Sequence, residues 1–214
     1  PSVVTITEDI NEITWGDDTT SGPRFVGVAN TKIIYSADPS LSWTVAAAPS
    51  RNYLDTAFGA DTFAAVTTIA NIATYTIDAG TSWTETNTGL ASTNSYLYGI
   101  VYAGTRFVAV GANSSNNNER FYRSSDGITW VFRDPVGITV GNMHAAAYDG
   151  SLYVVAVGDN GRIWTTSDEG NNWGLAAGAL PDAALRGIAY GDGVWVTVGA
   201  VGTGNIWRTT NIAS

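Results

Sequence analysis

Short apolar runs recur along the chain, each bounded by Gly, Asp, Asn or Ser. Arg106-Phe-Val-Ala-Val110, Leu152-Tyr-Val-Val-Ala-Val157 and Val194-Trp-Val-Thr-Val198 are of one make. They are short and rich in β-branched and aromatic residues, which predicts strands rather than helices. They are nearly continuous where a half-exposed strand would alternate, so both faces of the strand are expected to be covered by neighbouring sheets. The last full unit shows the order of elements. Arg186-Gly-Ile-Ala-Tyr190 reads as strand a, Gly191-Asp-Gly193 as a tight hairpin turn, Val194–Gly199 as strand b, and Asn205–Thr210 as strand c after a loop.

This unit occurs five times. A polar run follows strand c in each: Ser36-Ala-Asp38-Pro-Ser-Leu-Ser-Trp43, Thr76-Ile-Asp78-Ala-Gly80-Thr-Ser-Trp83, Ser124-Ser-Asp126-Gly-Ile-Thr-Trp130, Thr166-Ser-Asp168-Glu-Gly170-Asn-Asn-Trp173, and a partial Thr209-Thr-Asn211-Ile-Ala-Ser214. The Asp and final Asn positions are spaced by 40, 48, 42 and 43 residues. Periods of roughly 40–45 residues built from short strands point to propeller blades. Two aromatic markers keep the same order: Trp15, Phe58, Tyr102, Tyr148 and Tyr190 close strand a, and Phe25, Phe63, Phe107, Tyr153 and Trp195 open strand b. A fourth strand, d, starts near Trp43, Trp83, Trp130 and Trp173. The fifth unit ends before its own strand d, while Val3-Val-Thr-Ile-Thr7 is a strand with no unit before it. The expectation is therefore an all-β, five-bladed β-propeller of four-stranded antiparallel blades, about 11–46, 53–86, 96–133, 144–175 and 185–214 plus 3–7. It forms one domain over 1–214, and the N-terminal strand joins the C-terminal blade to close the ring.

The polar run has a physical sense of its own. Ser/Thr and Asp side chains bond local N–H groups, Gly takes a positive φ, and the Trp ring folds under the turn. The run resembles the Asp-box, or BNR repeat, of sialidase-like β-propellers, where it fills the turn between strands c and d on the rim opposite the ligand. The second and fourth runs match the pattern closely, the third is one residue shorter, the first lacks the Gly, and the fifth has Asn for Asp. The resemblance implies a structural role for Asp38, Asp78, Asp126 and Asp168, and packing for Trp43, Trp83, Trp130 and Trp173. Trp15, Trp164, Trp195 and Trp207 also recur at fixed positions and are assigned to packing.

Composition removes several functions. Net charge is −9, with Lys32 the only lysine and nine scattered arginines, so no phosphate-binding footprint is present and no nucleic-acid partner is expected. No run approaches the ~20 apolar residues that span a bilayer, so no membrane insertion is expected. There is no cysteine, hence no disulfide and no thiol site. His144 is the single histidine and reads as a loop or half-buried residue. Without a second His or a Cys, neither a metal site nor a Ser-His-Asp arrangement is expected. No cofactor motif appears.

Sialidases add ligand arginines, a Tyr–Glu pair and a sixth blade to their boxes. Only Pro23-Arg24-Phe25 approaches their arginine segment, and Arg106 occupies the same place in its own repeat, so Arg24 reads as a turn residue. The chain is expected not to be an enzyme. The d–a and b–c connections emerge at one end of such blades, opposite the boxes, and ligands are expected there. The loop Gly111–Arg120 is the most unusual of them, and Asn113, Asn116, Asn117 and Asn118 are its candidate contact residues. Repeat arrays of this style are similar to those of bacteriophage tail, fibre and head-decoration proteins. That resemblance implies a non-catalytic virion component, made without a signal peptide, with other virion proteins or a cell-surface glycan as partner. A soluble five-bladed lectin, a glycosidase, and an assembly factor resembling the BNR-repeat proteins of photosystem assembly are the alternatives.

Overall fold

In the computed structural model, residues 7–40, 42–69, 72–87, 95–176, 184–200 and 205–210 are described. They form five antiparallel sheets. The first has β1 (Ile10–Asp18), β2 (Gly22–Ala29), β3 (Ile33–Ser36) and β4 (Thr44–Val45). The second has β5 (Tyr53–Gly59), β6 (Thr62–Thr67), β7 (Ile72–Thr76) and β8 (Thr84–Asn87). The third has β9 (Ser95–Ala103), β10 (Arg106–Asn113), β11 (Glu119–Ser124) and β12 (Trp130–Phe132). The fourth has β13 (Met143–Tyr148), β14 (Val154–Gly158), β15 (Ile163–Thr166) and β16 (Gly174–Leu175). The fifth has β17 (Ala184–Gly191), β18 (Val194–Ala200) and β19 (Asn205–Thr209). Each sheet is a meander in which sequence neighbours are hydrogen-bonded neighbours.

The continuous apolar runs do lie between sheets. Every residue of β6 and of β14 is buried, as is all of β10 after Arg106. Four apolar layers follow, one between each pair of consecutive sheets. Val28 and Phe63 belong to the layer between sheets one and two, Val66 and Phe107 to the layer between two and three. Val110 and Met143 lie between three and four, and Val157 and Leu185 between four and five. Each fully buried Val or Phe contributes on the order of 1.5–3 kcal/mol, so these layers hold the array together. The inner strands also pack in sequence, β1 on β5, β5 on β9, β9 on β13 and β13 on β17, and no comparable packing joins β17 to β1.

The strand-a aromatics explain the tight spacing. Phe58 covers Gly16 of the preceding sheet so closely that a Cβ there would lie 2.2 Å from the ring, and Tyr102 covers Gly59 at 2.1 Å. Two expectations need correction. In the fourth unit Tyr148 pairs with Val154, so Val154 and not Tyr153 takes the place of Phe107; the longer turn around Asp149 shifts the register by one. Half of the Gly111–Arg120 loop is strand, because Gly111 pairs with Arg120 and Ala112 with Glu119, which leaves residues 114–118 as the connection. Trp15 is 55% exposed, and among the described residues no sheet covers its face. The strand expected to complete the fifth sheet falls mostly outside the described residues, at 3–6, as does the end of the last polar run at 211–214.

Candidate functional site

Each inner strand carries a bulge at the same place. The pairing of β1 with β2 skips Asn11, β5 with β6 skips Leu54, β9 with β10 skips Tyr98, β13 with β14 skips His144, and β17 with β18 skips Arg186. A bulged residue has no cross-strand partner and its side chain is re-aimed. All five line one central cavity of about 590 Å³. The b strand is shaped to match: a Cβ on Gly111 would lie 1.9 Å from the Tyr96 carbonyl oxygen, and one on Gly158 would lie 2.3 Å from that of Asn142. The bulges sit where strand a begins and strand b ends, so the cavity opens at the end that carries the d–a and b–c connections.

The cavity wall is mixed in character. His144 Nε2 lies 2.8 Å from Asp159 Oδ1, and Asp159 Oδ2 accepts from Asn142 N at 3.0 Å and Nδ2 at 2.7 Å. The Arg186 guanidinium runs along the imidazole edge, with Nη1 3.0 Å from Nδ1 and 2.5 Å from Nε2. Burial pushes the His144 pKa down; the hydrogen bond to Asp159 opposes this and Arg186 adds to it. In a neutral ring Nε2–H donates to Asp159 and the Nδ1 lone pair accepts from Arg186 at 3.0 Å, while the closer approach of Nη1 to Nε2 sets two donors together and is not a hydrogen bond. Tyr98 stacks at a tilt on His144, ring centroids 5.8 Å apart. Asp55 also lines the cavity. Burial pushes its carboxyl up to about 7, although it accepts N–H bonds from Ile100 at 2.8 Å and Thr56 at 2.7 Å. Among the described residues, no group of three or more His, Cys, Asp or Glu is placed to hold a metal ion.

The polar runs lie at the opposite end of the sheets, and each Asp finds its donors within its own turn. Asp78 Oδ1 accepts from Thr76 Oγ1 at 2.5 Å and Ser82 N at 2.9 Å. Asp168 Oδ1 accepts from Thr166 Oγ1 at 2.7 Å and Asn172 N at 2.8 Å. Asp126 Oδ1 takes Thr129 N at 2.7 Å, and Asp38 Oδ1 takes Ser40 N at 2.9 Å. Trp83 and Trp130 donate Nε1–H to the Gly80 and Gly127 carbonyls, both at 3.0 Å. Trp173 packs on Phe121, and Trp43 is half-buried.

Asn113 is buried and its carboxamide oxygen caps Ser115 N at 2.7 Å. Asn116 caps Asn118 N at 3.0 Å, while Asn117 takes a positive φ and lines a smaller cavity of about 240 Å³ with Asn142 and Asp159. That turn is linked to the central cavity through Asp159, which lines the smaller cavity and bonds His144 of the larger one. Sequence reasoning passed over Asn11, Leu54, Tyr98 and Arg186 and read His144 as ordinary. The available signal was their spacing, four residues before each strand-a aromatic, where the repeat holds five unlike residues.

No family model matches the chain, and no curated protein matches it. Solved structures do. Virginiamycin B lyase from Staphylococcus aureus, solved as a catalytically inactive His-to-Ala variant with quinupristin, superposes with a TM-score of 0.72 at 12% identity, over 92% of this chain and 65% of that one. YCF48 bound to a D1 peptide gives 0.63 at 12% identity, over 93% and 63%, and YCF48 from Cyanidioschyzon merolae gives 0.61 at 12%, over 86% and 65%. The chain spans less than two thirds of the length of these proteins. At such identity the likeness is one of fold: an all-β array of antiparallel sheets arranged as in propeller-like proteins.

Proposed function

We propose that the chain is a five-bladed propeller, completed by its N-terminal strand, that acts as a non-catalytic binding module with a glycan in the central cavity. One observation carries this reading: five bulges turn five unlike side chains into one cavity while the rest of the repeat stays regular. A scaffold residue repeats, whereas a residue selected for contact with an asymmetric ligand differs from unit to unit. The cavity volume is within the usual range for small-ligand sites. Tyr98 offers an aromatic face, and Asn11, Thr14, Asp55, His144 and Arg186 offer donors and acceptors without one dominant charge, which suits a hydroxyl-rich ligand. Asn116 and Asn117 extend the polar surface at the rim.

Binding without turnover is favoured because His144 is engaged by Asp159 and Arg186, and among the described residues no hydroxyl is bonded to it. The setting proposed is a virion tail, fibre or head-decoration component that contacts a host-surface glycan, on the strength of the repeat style. A glycan array followed by calorimetry tests the binding. Hits that weaken at least tenfold in Tyr98→Ala and Arg186→Ala support it, whereas an empty array, or hits indifferent to both changes, rejects it. Mass spectrometry of purified particles tests the setting, and absence of the polypeptide rejects that part alone.

A further inference from the structure

The interface that joins consecutive sheets occurs four times within the chain, and its two halves stand open at the ends. The half that faces the next sheet is built on a b–c cross-strand pair. Val28 with Ile33, Val66 with Ala73, and Val110 with Phe121 are fully buried. The same pair in sheet five, Val198 with Ile206, is 44% and 74% exposed. The half that faces the preceding sheet is built on strand a. Thr56 and Ile100 are buried there, but their counterpart Ile13 is 49% exposed, and Trp15 is 55% exposed. The glycine seats tell the same story. Gly16 lies under Phe58 and Gly59 under Tyr102, while Gly191, at the same place in sheet five, has nothing within 4 Å of an added Cβ.

We infer that these two faces are each other's partner within one chain, and that Trp15 seats on Gly191 as Phe58 seats on Gly16. This rests on the five-bladed reading and gives it a closing contact. The halves are of one interface type, outgoing on sheet five and incoming on sheet one, so they are complementary without redesign. They are also near one another, since Asn11 and Thr14 of β1 and Arg186 and Ile188 of β17 line the same cavity. Tethered ends meet at a high effective concentration, which favours closure in one chain over capture of a second copy. A second copy joined head to tail would make an open or larger assembly instead.

Gly191→Val decides between these arrangements. With the faces apart, the added methyl groups meet open space and stability is unchanged. With Trp15 seated, they collide with the indole as they would with Phe58 at Gly16. The melting temperature should then fall by roughly 5 °C or more, close to the fall for Gly59→Val. Trp15→Ala should lower it too, and the double variant should lose less than the sum. Sedimentation must show a monomer with a melting temperature independent of concentration. A neutral Gly191→Val overturns the inference, and so does a concentration-dependent dimer, which would assign the faces to a second copy. If Gly191→Val fails to fold, hydroxyl-radical footprinting of the unaltered chain gives the answer: Trp15 protected like Trp83 supports closure, and Trp15 oxidised as an exposed indole overturns it. Glycan binding is measured separately, so failure of the closing contact and failure of the ligand reading are told apart.

Discussion

Replacing Glu119 with Ala should destabilise the protein more than any change at the surface. Glu119 is 0% exposed, yet its carboxylate is the meeting point of two sheets. It stands at the start of β11 in the third sheet and receives Arg162 Nε at 2.9 Å, Arg162 Nη2 at 3.3 Å and Trp164 Nε1 at 3.1 Å from the fourth. Thr139 N adds a further bond at 3.0 Å. Truncation leaves a buried indole N–H and a backbone N–H without their acceptor and the Arg162 guanidinium with only the Gly137 carbonyl at 3.2 Å. Breaking a buried pair by removing one partner costs about 3–5 kcal/mol, which for a domain of this size corresponds to roughly 10 °C or more in Tm. Urea unfolding with the slope held common gives the free energy directly. Glu119→Gln keeps one acceptor oxygen and should lose about half as much, and a double-mutant cycle with Arg162→Met should return a coupling of about 1 kcal/mol or more. A loss below about 1 kcal/mol in Glu119→Ala would refute the idea that this carboxylate pins the two sheets.

Asp55 should make stability fall with rising pH. Its carboxyl is at 3.8 when unfolded and about 7 when folded, so its contribution is fully present below pH 4 and is lost between pH 4 and 7, by at most about 4 kcal/mol; Asp55→Asn should flatten the slope of stability over that window in denaturant titrations. Asp78 should behave oppositely. Burial pushes it up, but hydrogen bonds from Ser82 and Thr76 outweigh this and hold it at about 2, so its contribution is present above pH 4 and lost as pH falls through 2. Asp78→Ala should cost about 1–2 kcal/mol at pH 7 and less at pH 2, read from chemical unfolding at both pH values. Gly59→Val should lower stability by about 1–3 kcal/mol, because Tyr102 already occupies the space of a side chain there; an unchanged unfolding midpoint would count against the close aromatic cover.

Local pattern alone located the strands, the five-fold repeat and the Asp…Trp turns, because each depends on residues close in sequence. Val194–Gly199 had to be a strand, and Asp78 had to find its donors at Thr76 and Ser82, whatever lay beyond. The glycines that end strand b, Gly111 and Gly199, were visible too, but nothing local said that they make room for a bulge on the facing strand. That bulge is a register event between two strands. It decides that Tyr98, His144 and Arg186 leave the ladder and meet, although 46 and 42 residues separate them in turn. The same dependence on distant partners misplaced Tyr153, whose one-residue shift is set by pairing with β13, and it leaves the burial of Trp15 to a sheet on its far side. Sequence determined what each unit is, since hydrogen bonds and turn chemistry act over a few residues; tertiary structure decided where unlike residues of different units converge, since only packing brings them into one cavity.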